Sequence, residues 1–180
     1  MDFFEATINT KNIFSGKILK LRVDEVKLPN GKVSTREIVE HPGAVAIVPI
    51  DDDENVIMIK QYRKPVEEVL LEIPAGKLEK NEDIKTCAQR ELLEETGFKA
   101  EKLLHIIDFY TTPGFSNEKM SLFLGQNLKK AQGKADEDEF IKIEKIPLSK
   151  ALKMVHNGEI KDAKTIVGLF ITYMYLKGEF

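Results

Sequence analysis

The sequence predicts an α+β fold, with mixed β-sheets that carry helices on their faces. Three observations point there. Short apolar runs bounded by turn residues read as strands. One early segment alternates apolar and polar residues. Three longer segments repeat apolar residues at helical spacing.

Taken in order, residues 3–40 read as short strands. Residues 18–26 (I-L-K-L-R-V-D-E-V) alternate as a half-buried strand does. Pro29-Asn30-Gly31 is a turn signal, and residues 33–39 form the returning strand of an antiparallel hairpin. That element is either a packed lid or an arm that reaches a partner subunit. Ala44–Pro49 and residues 56–61 are apolar strands joined by an acidic turn, and 69–73 is another short strand. A helix follows from Asn81-Glu82-Asp83, with Asn81 as the expected N-cap and acidic residues favoured in the first turn. It stops at Gly97, a left-handed C-terminal glycine. Residues 103–110, 119–127 and 140–146 read as strands. Residues 148–157 and 161–176 read as helices, the second with an apolar face of Ile166, Leu169, Phe170, Tyr173 and Leu176.

At 180 residues the chain bounds one domain with a small appended element, long enough for a core without staples. A net charge of −3 leaves no general nucleic-acid footprint. No apolar run is long enough to span a membrane, and Met1-Asp2-Phe3-Phe4-Glu5 has neither the basic start nor the apolar core of a signal peptide. The single cysteine, Cys87, has no internal disulfide partner and reads as a small buried hydrophobe. These features predict a cytoplasmic protein.

Between Gly76 and Phe98 the chain reads G-K-L-E-K-N-E-D-I-K-T-C-A-Q-R-E-L-L-E-E-T-G-F. Glu91 and Glu95 are four apart and share a helix face, with Glu94 beside them. Like charges at that spacing are destabilising in a plain helix. A hard divalent cation reverses the sign, because Mg²⁺ takes carboxylate oxygens and shares them with substrate phosphates. A solvated surface helix accounts for neither the glycines nor the crowded carboxylates.

The pattern Gly-x5-Glu-x7-Arg-Glu-apolar-x-Glu-Glu-x-Gly-apolar resembles the Nudix box at every fixed position. The resemblance implies a Nudix-type α/β/α sandwich over residues 43–180, with residues 1–42 as an N-terminal β element. Further segments resemble the bacterial ADP-ribose pyrophosphatase branch. They are Arg36 to Ala46, Gln61-Tyr62-Arg63-Lys64-Pro65 with Glu72-Ile73-Pro74-Ala75-Gly76, Pro113 sixteen positions after Gly97, and the acidic run Asp136-Glu137-Asp138-Glu139.

The resemblance implies roles residue by residue. Glu91, Glu95, Glu139 and the carbonyl of Ala75 are metal ligands, and Glu94 joins them directly or through water. Gly76 lets the backbone approach the ion. Arg90 and Glu82 form a supporting pair, since a guanidinium grips a carboxylate in bidentate fashion. Glu137 takes the place of the general base, ahead of Glu139. Arg36, Arg63, Pro113 and Glu118 are candidate substrate contacts, because the arginine fork suits phosphate oxygens. Tyr62, Phe109 and Phe115 are aromatic and could stack on adenine, though such residues more often belong to a core. The implied reaction is Mg²⁺-dependent hydrolysis of ADP-ribose to AMP and ribose 5-phosphate by a metal-activated water, with Mn²⁺ as a substitute ion. The implied assembly is a homodimer acting on a small molecule, with no nucleic acid or membrane partner. Two alternatives stay open: hydrolysis of another nucleoside diphosphate sugar or dinucleotide, and a non-catalytic sensor of ADP-ribose or NAD metabolites.

Overall fold

Three antiparallel strands open the chain: β1 (Ala6–Ser15), β2 (Lys20–Lys27) and β3 (Val33–Glu40), in the order β1-β2-β3. The structure is a computed structural model, and it describes residues 3–132 and 140–179. The β2–β3 turn forms where Pro29-Asn30-Gly31 predicts it. Gly31 donates to the Leu28 carbonyl and takes φ +83°, a conformation open to glycine. The expected hairpin is therefore β2–β3, and β1 adds a third strand on β2. β1 is exposed at every position and shifts register twice, between Thr7 and Asn9 and between Asn12 and Phe14. Residues 1–43 and 110–119 form one compact unit. Within it, Val39 donates to the Phe115 carbonyl at 2.8 Å, which ties the 112–116 turn to the end of β3.

The second unit comprises residues 44–109 and 120–180. Its strands are β4 (Ala44–Pro49), β5 (Asn55–Arg63), β6 (Glu68–Glu72), β7 (Ala75–Lys77), β8 (Phe98–Tyr110), β9 (Lys119–Lys130) and β10 (Lys142–Pro147). Its helices are α1 (Ile84–Thr96), α2 (Leu148–His156) and α3 (Ala163–Leu176). The strands form two sheets, β7-β4-β9-β8 and β10-β5-β6. β4 runs parallel to β9 and antiparallel to β7.

β4 is buried at all six positions, which is why it reads as a continuous apolar run without alternation. Successive side chains still point to opposite faces. Val45 and Ile47 meet Cys87, Ala88 and Leu92 of α1. Ala44, Ala46 and Val48 join the larger core with Leu122, Leu124 and Leu169 of α3. A helix thus covers each face of this sheet, which is the sandwich the box implies.

Two expectations need correction. The N-cap of α1 is Asp83, not Asn81. Asp83 is extended and its side chain accepts from the N–H groups of Lys85 and Thr86, whereas Asn81 sits in the left-handed turn at φ +65°. The buried face of α3 runs through Thr165, Gly168, Leu169 and Thr172, while Phe170, Tyr173 and Leu176 are exposed. The small residues win because the helix lies close to the sheet. A Cβ on Gly168 would fall 2.8 Å from Ile73 Cδ1 and 3.0 Å from Val48 Cγ2.

Candidate active site

The box spans β7, the following turn and α1. Asp83 fixes the start of the helix. At its end Gly97 takes φ +70° and donates to the Leu93 carbonyl. Burial of Cys87, Ala88 and Leu92 sets the rotation of α1, so the carboxylates occupy the remaining face.

Arg90 gathers three of them. Its Nε and Nη2 donate to the two oxygens of Glu82 at 2.8 and 3.0 Å. Its Nη1 donates to Glu91 Oε1 at 2.8 Å and to Glu94 Oε2 at 2.9 Å. One guanidinium therefore orients Glu91 and Glu94 while its other edge is held by Glu82. The hydrogen bonds from Arg90 hold the Glu82 carboxyl at about 2, far below its ordinary range. The same contact with Glu82 leads in raising Arg90, so the cation stays charged at any working pH. Burial, followed by the neighbouring Glu82, pushes the Cys87 thiol up to about 12, which leaves it a poor nucleophile.

Glu95 is buried, and its Oε2 accepts from the Ala75 N–H at 2.9 Å. This bond crosses from α1 to β7 and sets Ala75 beside the carboxylate. Gly76 is required next door for a steric reason. An added Cβ would lie 1.9 Å from Glu91 Cδ and 2.0 Å from Glu91 Oε1. The Glu91 carboxylate occupies the space that any other residue would fill.

The donor set is all oxygen and carries excess negative charge, which suits a hard divalent cation. Among the described residues no group of three His, Cys, Asp or Glu side chains comes together as a complete metal cage. Arg90 draws Glu91 and Glu94 to itself, and the Ala75 amide draws Glu95. Glu137 and Glu139, the expected base and further ligand, lie outside the described residues.

The expected substrate contacts fall in both units. Arg63 ends β5 in the second unit, with Nε and Nη2 donating to the two oxygens of Glu72 at 2.8 Å each. Arg36, Pro113 and Glu118 belong to the first unit. There Arg36 donates to Glu5 at 2.8 Å, Pro113 is exposed, and Glu118 accepts from the Thr111 hydroxyl at 2.6 Å. Phe109 packs against the core, while Tyr62 and Phe115 are more than half exposed. Lys164, in the first turn of α3, donates to Glu72 from the other side, and the sequence singles out neither residue. Their signal was weak, since Glu72 stood only as one letter of a resembling segment and Lys164 inside a helical run.

A cavity of about 720 Å³ lies at the C-terminal end of α1, lined by Ile57, Gly97, Phe98, Leu128 and Ile143 among others. It contains none of the box carboxylates. We place the chemistry on the box carboxylates, because Asp51 and Lys145, which line the cavity, are already paired with each other at 2.6 Å.

Family comparison agrees with the geometry. The family described as NUDIX domain matches residues 40–167, and the chain belongs to it. A second family, described as nucleoside diphosphate sugar hydrolase N-terminal domain, matches residues 5–39. Nudix hydrolases generally use divalent metal ions. The chain is 50% identical over 175 residues to an ADP-ribose pyrophosphatase of Bacillus subtilis, covering 96% of this chain and 94% of that one. It is 46% identical to a methanol dehydrogenase activator of Bacillus methanolicus, covering 97% and 95% of the two chains. It is 36% identical to an ADP-ribose pyrophosphatase of Mycobacterium tuberculosis, covering 96% and 84%. A crystal structure of an ADP compounds hydrolase superposes with a TM-score of 0.88 at 25% identity, over 99% of this chain and 98% of the other.

Proposed function

We propose that this chain hydrolyses ADP-ribose to AMP and ribose 5-phosphate with Mg²⁺ as its ion. The carrying observation is the cluster of Glu91, Glu94 and Glu95 on one helix, organised by Arg90 and faced by Gly76. The relatives named ADP-ribose pyrophosphatase, at 50% and 36% identity over nearly the whole chain, support the substrate.

Glu91, Glu95 and the Ala75 carbonyl are the groups that would hold the ion, with Glu139 as a further ligand. A bound divalent ion supplies charge neutralisation on the diphosphate and makes water more acidic. The residues of the chain do the rest. Arg90 keeps Glu91 and Glu94 oriented and offsets their repulsion. The amide of Ala75 keeps Glu95 turned toward β7. Glu137 takes the proton from the attacking water. Arg63 and Arg36 recognise phosphate oxygens, and Pro113 and Glu118 shape substrate contact.

We assign the chain to the cytoplasm, consistent with its single buried cysteine, and to a homodimer. The dimer is supported by the apolar residues that β1 exposes, Ile8, Ile13 and Phe14.

The deciding experiment is AMP release from ADP-ribose with Mg²⁺, beside ADP-glucose, NADH and diadenosine polyphosphates. Preference for ADP-ribose is expected. Preference for another compound would keep the chemistry and discard the substrate. Absence of metal-dependent hydrolysis throughout would turn the chain into a sensor.

A further inference from the structure

The β5–β6 hairpin carries a polar face from which the reaction as described draws Arg63 alone. Its register pairs Arg63 with Glu68, Gln61 with Leu70 and Ile59 with Glu72. Directly opposed residues share a face, so Arg63, Gln61 and Glu72 lie on the same side. Arg63 reaches back along that side to grip Glu72 through Nε and Nη2. Glu72 is completely buried, while the Arg63 side chain keeps 37% of its surface exposed. The grip leaves Nη1 outside it.

The other side of Glu72 is held from α3. Lys164 donates to Glu72 Oε2 and to Asp162 Oδ1. Asp162 caps the helix by accepting from the Thr165 N–H at 2.9 Å, and Thr165 Oγ1 accepts from the Ile73 N–H at 2.9 Å. The first turn of α3 is thereby tied to the strand end that leads into Ala75. Burial alone would raise the Glu72 carboxyl, but Arg63 and Lys164 together hold it below the ordinary range. Glu72 leads in raising Arg63, and the charge of Glu95 adds to it, so the guanidinium lies within electrostatic reach of a candidate metal ligand.

Stability alone is a poor account of this arrangement. A buried ion pair is commonly replaced by apolar residues with no loss of stability, and apolar neighbours, Ile59 and Leu70, are already on this face. Gln61 Oε1, between the partners, is buried without a hydrogen-bond partner, which a face selected for stability would avoid.

We propose that Glu72 is a positioning residue for Arg63: it clamps the Nε edge of the guanidinium, with Lys164 neutralising its far side, and so presents Nη1 to the substrate diphosphate. The proposal rests on the ADP-ribose reading for its substrate and on the hairpin geometry for its mechanism.

The test is a double-mutant cycle read as KM and kcat for ADP-ribose, with melting temperatures alongside. Glu72→Gln keeps the reach of the side chain and removes its charge. It should raise KM about tenfold, the scale of one charge-assisted hydrogen bond, with a much smaller change in kcat. Arg63→Ala should raise KM at least as much, and Arg63→Ala/Glu72→Gln should be no worse than Arg63→Ala alone. A folded Glu72→Gln with wild-type KM, or additive effects in the double variant, overturns the proposal. Arg63→Lys covers the case in which Glu72→Gln does not fold. It keeps the charge but cannot fork, so it should match Arg63→Ala, and a wild-type KM would overturn the proposal. If the wild type does not turn over ADP-ribose, the substrate reading fails. The same cycle is then read as the Kd of Mg-ADP by calorimetry, where additivity again decides against Glu72 and non-additivity for it.

Discussion

The β7–α1 segment and the β1–β3 sheet treat apolar surface in opposite ways. In the first, Glu82, Glu91 and Glu95 are largely withdrawn from solvent and answered by Arg90 or a backbone amide. Three apolar residues of α1, Cys87, Ala88 and Leu92, have no exposed surface at all. In the second, Ile8 and Phe14 expose more than half of their area, and β1 has no buried position. The difference teaches where each region finds its complement. The box is answered by groups of its own chain and keeps negative charge in surplus for a cation. The sheet keeps apolar surface in surplus, which suits a second copy.

The sharpest way to break the contrast is to remove the surplus charge. Glu91→Gln and Glu95→Gln should each lower kcat by about 10²–10³, the usual loss of one preorganised electrostatic group. Their light-scattering mass should remain that of the wild type. A variant with full AMP release would remove that residue from the site. Gly76→Ala attacks the same cluster by volume. Its methyl group collides with the Glu91 carboxylate, so it should cost about 1–3 kcal/mol of stability. Mg²⁺ should raise the melting temperature of the wild type, and Gly76→Ala should erase that rise.

The opposite operation falls on the sheet. Ile8→Lys and Phe14→Lys should convert a particle of twice the 20.5 kDa chain mass into a monomer, measured by light scattering. A wild type that is monomeric at working concentration would end the dimer reading. Asp83→Ala is milder. It removes the N-cap of α1 and should cost about 1 kcal/mol, or about 2–4 °C in melting temperature for a chain of this size. Asn81→Gly should cost nothing, because glycine accepts the left-handed backbone there.

The smallest effect is one of pH. Glu82 titrates at about 2 in the folded chain against an ordinary value of 4.5. Its contribution to stability is therefore complete above pH 4.5 and is lost as pH falls toward 2. Glu72 is also depressed and adds in the same direction. Acid unfolding followed by circular dichroism should show a shallower dependence over that window in Glu82→Gln. An unchanged slope would mean the Arg90–Glu82 pair contributes nothing there.

Legibility followed the physics of burial. β4 could be read with its bounds intact because an apolar run framed by Gly43 and Asp51 has few other uses. The box could be read because fixed spacing along one helix converts directly into geometry. β1 has no burial contrast between its faces, so it carried no period-2 signal and only the neighbouring turn was clear. Residue type does not separate the two cap positions, because Asn and Asp are both good N-caps. The choice between Asn81 and Asp83 was made by a left-handed turn, which spacing does not reveal. On α3 the aromatic residues looked like the inner face, yet a close approach to Ile73 and Val48 admits glycine and threonine instead. The contact between Arg63 and Glu72, nine residues apart, depends on hairpin register and on a helix more than ninety residues downstream. Glu137 and Glu139 rest on the resemblance alone.

Cys87 offers a practical consequence. It is the only cysteine in the chain, has no exposed surface, and bears a thiol pushed to about 12. Alkylating reagents should therefore reach it only when the helix that bears it lifts off the sheet. The native protein thus contains a single internal clock for that opening, timed by mass spectrometry. It is equally a silent background in which cysteines introduced elsewhere can take up fluorophores or spin labels one at a time.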